Sequence, residues 1–343
     1  MELLHRIVSV SRNVGRLIDP LGPFAFFYAN GTWIVWPIAS FFMIGVIVYA
    51  VSIRQTRQFS VKSAFQFVFP RDFYTHPTTR IDIWNYALAN VFLFKPVALL
   101  LALVWSGQQL RDFLIKDFGP ATFTIGTGRA TGVFEAVVIV LISELGFYVA
   151  HYACHRVPLL WRIHAAHHSA EVLTPFTGIR AHPLEFIILN LPKVIGAGIA
   201  TGVLLYFSGP NLAHGAAPLL LIKFFYDQLI VLLEHSHLRL SYGKLSYLLC
   251  SPIMHQIHHS AEIRHRDKNM GSFCALYDWM FGTLYVPKGP EEFHLGKNLE
   301  ETGDRNPHRT LKDFYLEPVV GAYQTFAHRP NSSFETAGSP GAR

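Results

Sequence analysis

Residues 133–156 read "VFEAVVIVLISELGFYVAHYACHR", an apolar run that ends in two histidines four residues apart. Crossing a bilayer as a helix takes about 20 predominantly apolar residues, so the run predicts a membrane span over roughly 133–152. Residues i and i+4 share one helix face, so His151 and His155 would present both imidazoles side by side at the end of that span. Two carboxylates lie inside it, Glu135 and Glu144. An ionisable group at that depth is a functional candidate. Glu144 shares the face of His151 and reads either as an acid that orients an imidazole or as the partner of a Lys or Arg. Glu135 is left unassigned.

Composition supports a membrane protein. Of 343 residues, 51% are hydrophobic and 15% charged, whereas a soluble domain carries about 25% charged residues. The net charge of +6 comes with no dense basic tract and no nucleic-acid motif, so no nucleic-acid partner is expected. Scattered Lys and Arg beside apolar segments fit anionic headgroups better. Cys154, Cys250 and Cys274 cannot all pair and lack metal-ligand spacing, so they read as reduced thiols.

Outward from the opening stretch, residues 1–32 mix Arg with helically spaced Leu, Ile and Val and read as an interfacial helix. The uncharged stretch 33–53 is a first span, and a second lies within 84–106, interrupted by Lys95-Pro96. Beyond the third span, a fourth is expected over 184–207 and a fifth over 216–234, which carries Asp227 and invites the same two readings as Glu144. The last two could instead form a re-entrant hairpin. Five basic residues in 54–82 assign that loop to the cytoplasm, and alternation then puts every histidine cluster on the cytoplasmic face. The expectation is an all-α integral membrane protein of four to five transmembrane helices with a cytosol-facing, helical, histidine-rich cap. Its organisation would be an N-terminal interfacial helix, first span and basic loop (1–82), a catalytic domain (83–288) and a polar tail (289–343), disordered at its end. A bacterial inner membrane is the favoured location, or the endoplasmic reticulum in a eukaryote.

The histidines are the anomaly. Thirteen of 18 fall between His151 and His265, and "HAAHHS" (164–169) is echoed by "HQIHHS" (255–260). His164, His167 and His168 sit at i, i+3 and i+4, as do His255, His258 and His259, so each trio shares a helix face. Crowded imidazoles would repel if protonated, but as neutral ligands they satisfy a cation. Eight to ten of them exceed one coordination shell, and two metals with four or five nitrogens each account for the number. Imidazole suits Fe, Zn, Cu and Ni alike, so ligand type leaves the metal open.

The run "ELGFYVAHYACHRVPLLWRIHAAHHSAE" with "RAHPLE", and the later "EHSHLRL", "SPIMHQIHHS" and "DKNMGSFCALYDWMFGT", resemble the two halves of the fatty acid hydroxylase/sterol desaturase superfamily over roughly residues 80–288. That resemblance implies integral membrane, di-iron, O2-dependent hydroxylases and desaturases of sterols, acyl chains, ether lipids and carotenoids. Carried over position by position, it implies as ligands His151, His155, His164, His167, His168, His255, His258 and His259. His235 matches a further family histidine, in a motif more often read His-Ser-Asn; His237 replaces that Asn here and becomes a candidate. His182 of "AHPLE" is another, with a helix-entry role as the alternative. Tyr152 stands where the family often has Arg. Asp267, Asn269 and Asp278 match family positions that support ligands or shape loops, and Glu144 and Asp227 join them as possible supports. His214 and His265 carry no assignment.

The resemblance implies two Fe ions as cofactors and O2 as co-substrate. Its partners would be a membrane lipid substrate and an electron donor, a cytochrome b5-like protein or a ferredoxin with its reductase, since the chain has no flavin, haem or iron–sulfur motif. Two rivals compete. A metal transporter or metal-binding membrane protein would hold its ligands near the bilayer midplane, whereas these clusters fall at helix ends. A zinc hydrolase would carry His-Glu-x-x-His, which is absent.

Overall fold

The structure, a computed structural model, describes residues 35–54, 58–88, 107–209, 212, 216–296 and 306–327. The expected interfacial helix at 1–32, most of the second span, His214 and the end of the tail lie outside the described residues. Among the described residues there are helices and two isolated bridges, and no strand. The longer helices are α1 (Val35–Ile53), α2 (Val61–Val68), α3 (Pro77–Leu88), α4 (Gly107–Phe118), α5 (Arg129–Arg156), α6 (Pro158–His164), α7 (Pro183–Ser208), α8 (Ala216–Glu234), α9 (Pro252–His258) and α10 (Leu311–Ala327).

Three of these, α1, α5 and α7, are long and apolar enough to cross a membrane. The expectation was four to five. Of the other two expected spans, 89–106 lies outside the described residues, and 216–234 forms α8 with Lys223, Asp227 and Glu234 along it. The third and fourth predicted spans appear as α5 and α7, each a few residues longer than its apolar core.

Local chemistry sets where these helices turn toward the site. α5 stops at Val157, held extended (φ −99°, ψ 113°) ahead of Pro158, which opens α6; the residue before a proline is pushed out of the helical region. α7 starts at Pro183, the position that tolerates proline best. His182 caps it by accepting the Leu184 N–H, while Glu185 accepts the His182 N–H, a reciprocal capping box. α5 and α7 cross backbone to backbone. A Cβ on Gly146 would lie 2.3 Å from the Pro192 carbonyl oxygen, and one on Gly196 would lie 2.7 Å from that of Ile142. Small residues permit this approach. α8 packs on α5 and α1, and α4 lies along α7. The C-terminal ends of α5 and α8 and the N-terminal end of α7 thereby meet at one end of the bundle.

α6, α9 and their loops form the cap there. α10 belongs to it too, because it docks on α6 and α3 with Phe314 fully buried. The sequence predicts a polar tail here; Leu311, Phe314 and Tyr315 give it an inward face that the surrounding polarity hides. All three cysteines are free and buried.

Candidate metal centre

Nine imidazoles converge in the cap as two groups. His151, His155, His164, His168 and His258 form one; His167, His235, His255 and His259 form the other. Within each, the facing nitrogens lie within 4.8 Å of one another. The repeated motif is split between them. "HAAHH" sends His164 and His168 to the first group and His167 to the second, while "HQIHH" sends His255 and His259 to the second and His258 to the first. Each motif therefore gives its i, i+4 pair to one group and the odd residue to the other, so each group draws ligands from both motifs.

The tautomers are set from outside. Carbonyl oxygens accept from the Nδ1–H of His151 (Met270, 2.7 Å), His167 (Arg180, 2.9 Å), His235 (Val231, 2.9 Å) and His258 (Lys268, 2.8 Å). The His164 Nδ1–H donates to Glu185 Oε1 at 2.7 Å, with both side chains 1% exposed. A neutral imidazole has one N–H, so the Nε2 atoms of these rings are bare lone pairs turned inward. His164 Nε2 has three Nε2 neighbours, from His151, His155 and His168, at 3.0–3.1 Å. Hydrogen bonding cannot satisfy that crowd, because His151 and His164 have already committed their protons. His258 Nε2 is buried with no hydrogen-bond partner at all.

A cation fits where hydrogen bonds do not. Metal–imidazole bonds are about 2.1 Å, so two nitrogens at right angles about one ion stand about 3.0 Å apart, against about 3.4 Å at the tetrahedral angle. The observed 3.0–3.1 Å spacings, repeated in His235–His255 and His255–His259 at 3.0 Å, match the right-angled case. Burial, reinforced by neighbouring imidazoles, holds His164, His167, His168, His255, His258 and His259 well below the ordinary imidazole range. Burial likewise pulls His235 down to about 4. The rings are therefore neutral near pH 7, the form that binds metal.

The remaining expected site residues have other partners. His182 spends Nδ1 on the α7 cap and Nε2 on the Tyr315 carbonyl. His237 donates to the Phe67 carbonyl at 2.7 Å between Phe67 and Phe73. Both stand outside the two groups because each is already occupied at a helix boundary. Glu144 touches no imidazole directly: it pairs with Lys193 and Lys223 and accepts from Ser272 Oγ and the Phe273 N–H. Ser272 and Phe273 belong to the 267–283 loop, which also carries the Met270 carbonyl that accepts from His151. Asp227 pairs with Lys223 at 2.7 Å. Asp267 lies 3.7 Å from His155 Nδ1 and binds Arg156 at 2.7 Å. Asn269 joins α9 to the following loop, donating to the Met254 and Tyr285 carbonyls and accepting the Tyr285 N–H. Asp267 and Asn269 both have φ of 56°, the left-handed region that short polar side chains tolerate. Asp278 accepts the Met270 and Gly271 N–H groups and Thr283 Oγ1, fixing the carbonyl that orients His151. His265 binds Ser260 and Glu291, and Glu135 binds Ser208.

Two supports escaped the sequence reading. Glu185 was visible as the acid three residues after His182, the spacing of a capping box. Arg180, fully buried, donates to Asp82, Ser169 Oγ and the carbonyls of Ala166 and Thr78, while its own carbonyl holds His167. Its pairing with Asp82 spans 98 residues of chain, and no local pattern announces it.

A cavity of about 400 Å³ opens onto this centre from the cap side, with His155, His168, His258 and His259 lining it and Arg156, Trp161, Glu262 and Asp267 around it.

The fatty acid hydroxylase family model matches residues 136–283. Curated relatives include an ornithine lipid hydroxylase of Rhizobium tropici (29% identity; 48% of this chain, 45% of the relative) and a Delta(7)-sterol-C5(6)-desaturase of Nicotiana tabacum (30%; 52% and 60%). An alkylglycerol monooxygenase of Caenorhabditis elegans matches at 23% identity over 43% of this chain and 26% of its own. The matched regions span less than two thirds of each of these relatives. No solved structure matches the chain. The matched segment contains all nine converging imidazoles, so this chain's likeness to the fatty acid hydroxylase family rests on the part of the chain that carries the candidate metal centre.

Proposed function

We propose that this protein is a membrane-bound, O2-dependent oxidoreductase that holds two iron ions and hydroxylates or desaturates an unactivated C–H bond of a lipid of sterol or fatty acyl type. The observation that carries this is the interlocked pair of imidazole groups, five and four nitrogens each gathered within 4.8 Å. Five neutral nitrogens exceed the four-ligand shell of zinc, and the superfamily's chemistry selects iron. The ligands would be the nine converging histidines, with His182 and His237 outside the set.

With iron bound, the centre supplies the reduction of O2 and the oxidising power that breaks the C–H bond. Hydroxylation consumes O2, two electrons and two protons and yields an alcohol and one water; desaturation consumes the same and yields an alkene and two waters. The electrons come from an external donor of the cytochrome b5 or ferredoxin type. The chain's own contribution is positional. Carbonyls of Met270, Arg180, Val231 and Lys268 and the Glu185 carboxylate hold the protons on Nδ1 of their partner rings, so those Nε2 atoms face inward before any ion arrives. Burial keeps the rings neutral, and tight α5–α7 packing around Gly146 and Gly196 fixes the helix ends that carry them. The site lies at one end of the bundle, which we assign to the cytoplasmic face, where a lipid tail in the membrane and a soluble donor both have access.

The test is mass spectrometry of lipid extracts from cells making the full chain or its His258→Ala variant. A lipid that gains one oxygen or loses two hydrogens, only with active protein and O2, is expected. No such lipid, or equal conversion by the variant, overturns the oxygenase reading. Metal analysis of the loaded protein is expected to give two irons per chain; one metal per chain overturns the dinuclear assignment, and zinc alone overturns the assignment of iron.

A further inference from the structure

Two short turns of the cap carry an apolar patch that the catalytic reading leaves unused. Leu245, Tyr247 and Leu248 on one, and Trp279, Met280 and Phe281 on the other, are 56–68% exposed. They adjoin, because the Leu249–Cys274 bridge and the Ala275 N–H to Leu248 carbonyl bond (2.9 Å) join the two segments. Six neighbouring large apolar side chains left in water would be an unusual liability.

Their level along α5 says what covers them. The strap that leads to the second turn packs on the Leu141–Leu145–Tyr148–Tyr152 face of α5. Tyr277 donates to the Leu141 carbonyl at 2.7 Å, and Phe281 stacks on Tyr148 with centroids 5.4 Å apart. Leu141 lies ten residues before His151, about 15 Å along the helix axis at about 1.5 Å per residue. At the same height α5 turns Ile142 (39% exposed) and Val149 (54%) outward. A bilayer that covers those two residues reaches the level of Tyr277 and Phe281, which anchor the second turn on α5. Lys244 stands exposed beside Leu245, and Lys268 Nζ reaches the Gly282 carbonyl just beyond Phe281. Aromatic tips with flanking lysines match the membrane interface.

We infer that these two turns form a foot that inserts into the acyl region of the leaflet on the metal-centre side, so the cap is partly embedded and not wholly aqueous. The partner is the lipid leaflet. This rests on α5 crossing the membrane and not on the oxygenase reading. It also places the mouth of the metal centre at the bilayer surface, anchored independently of the spans.

The test exploits the buried state of all three native cysteines. Met280→Cys in the full chain is coupled to a nitroxide and reconstituted in phosphatidylcholine–phosphatidylglycerol vesicles, with Glu292→Cys, whose parent side chain is 92% exposed, as the aqueous control. The label at position 280 should collide several-fold more often with O2 than with a water-soluble nickel chelate, and the control should show the reverse. Equal nickel accessibility at both positions overturns the proposal. A label shielded from both reagents and broadened by a second label overturns it in favour of a second copy on the patch. Independently, quenching of tryptophan fluorescence by brominated lipids should fall in Trp279→Phe; unchanged quenching counts against the foot.

Discussion

Glu185 offers the sharpest test of how the centre is held. Its two carboxylate oxygens serve two donors: Oε1 accepts from His164 Nδ1 at 2.7 Å and Oε2 from the His182 N–H at 3.2 Å. Glu185→Gln keeps the volume but replaces one acceptor with an NH2 group, so one of these two donors must face another donor. His164 is the costlier loss, since its Nε2 is the nitrogen on which His151, His155 and His168 all converge. Removing such a support typically weakens metal binding about 10–100-fold, or about 1.4–2.8 kcal/mol at about 1.4 kcal/mol per decade. Fe(II) titration of the anaerobic, metal-free protein against a competing chelator reads this directly, and the loss should fall on one site of the two. His182→Asn separates the roles, because Asn is a good N-cap; it should leave metal affinity unchanged. Wild-type affinity for both ions in Glu185→Gln would refute the reasoning, as would an equal loss in His182→Asn.

Three further outcomes are expected. Arg180→Lys keeps the charge but cannot reach Asp82, Ser169 and two carbonyls together; breaking a buried pair costs about 3–5 kcal/mol, visible as a lower thermal midpoint and reduced occupancy of the His167 group. Arg180→Met combined with Asp82→Leu should be less damaging than Arg180→Met alone, because no unpaired buried carboxylate remains. For pH, burial depresses the histidine pKa values, so the folded state binds fewer protons than the unfolded one below the ordinary value of about 6.5. Stability of the metal-free protein is therefore complete above about pH 6.5 and falls as pH drops toward the folded values. His235 alone, held at about 4, contributes a loss of about 3 kcal/mol across that window. Chemical denaturation at about pH 7.5, 6 and 5 checks the sign, and stability that rises on acidification would contradict it.

The histidine clusters were legible because their spacing is local: the i, i+4 pairs His151–His155, His164–His168 and His255–His259 each stay in one group, although α6 ends at His164 and α9 at His258, so the trios do not share a single helix face. What spacing could not tell is allegiance. His167 and His258 leave their own motifs for the opposite group, which depends on how α6 and α9 face each other across the cap. His182 and His237 illustrate the converse, since a histidine at a helix boundary has backbone groups to satisfy and the sequence does not show that both rings are spent on them. Glu144 invites two readings, an acid that orients an imidazole or the partner of a cation, and the cations that pair with it, Lys193 and Lys223, come from the distant helices α7 and α8. The spans α5 and α7 followed from their apolar runs, whereas α10 hid its inward face among charges, with Pro318 inside the helix.

The family-matched segment supplies every converging imidazole, yet it does not support them alone. Arg180 holds His167, and Arg180 is in turn fixed by Asp82 on α3 and lies 5.2 Å from the centre of the Phe314 ring on α10. Asn85 donates to the Ile179 carbonyl at 2.7 Å and accepts from Tyr315 at 2.6 Å, tying the same loop to both flanks. The His167 group thus depends on residues before 89 and after 305, while the His151 group is braced mainly by α7 and the 267–283 loop. The two groups should fail separately. A chain ending at residue 305 loses Phe314 and Tyr315 and should keep its helix content by circular dichroism while binding metal in the His151 group and not in the other. Full loading of both groups in that truncated chain would show that α10 merely covers the cap; loss of both would show that the interlock through His168 and His259, whose rings stack at 4.6 Å, transmits the damage across the centre.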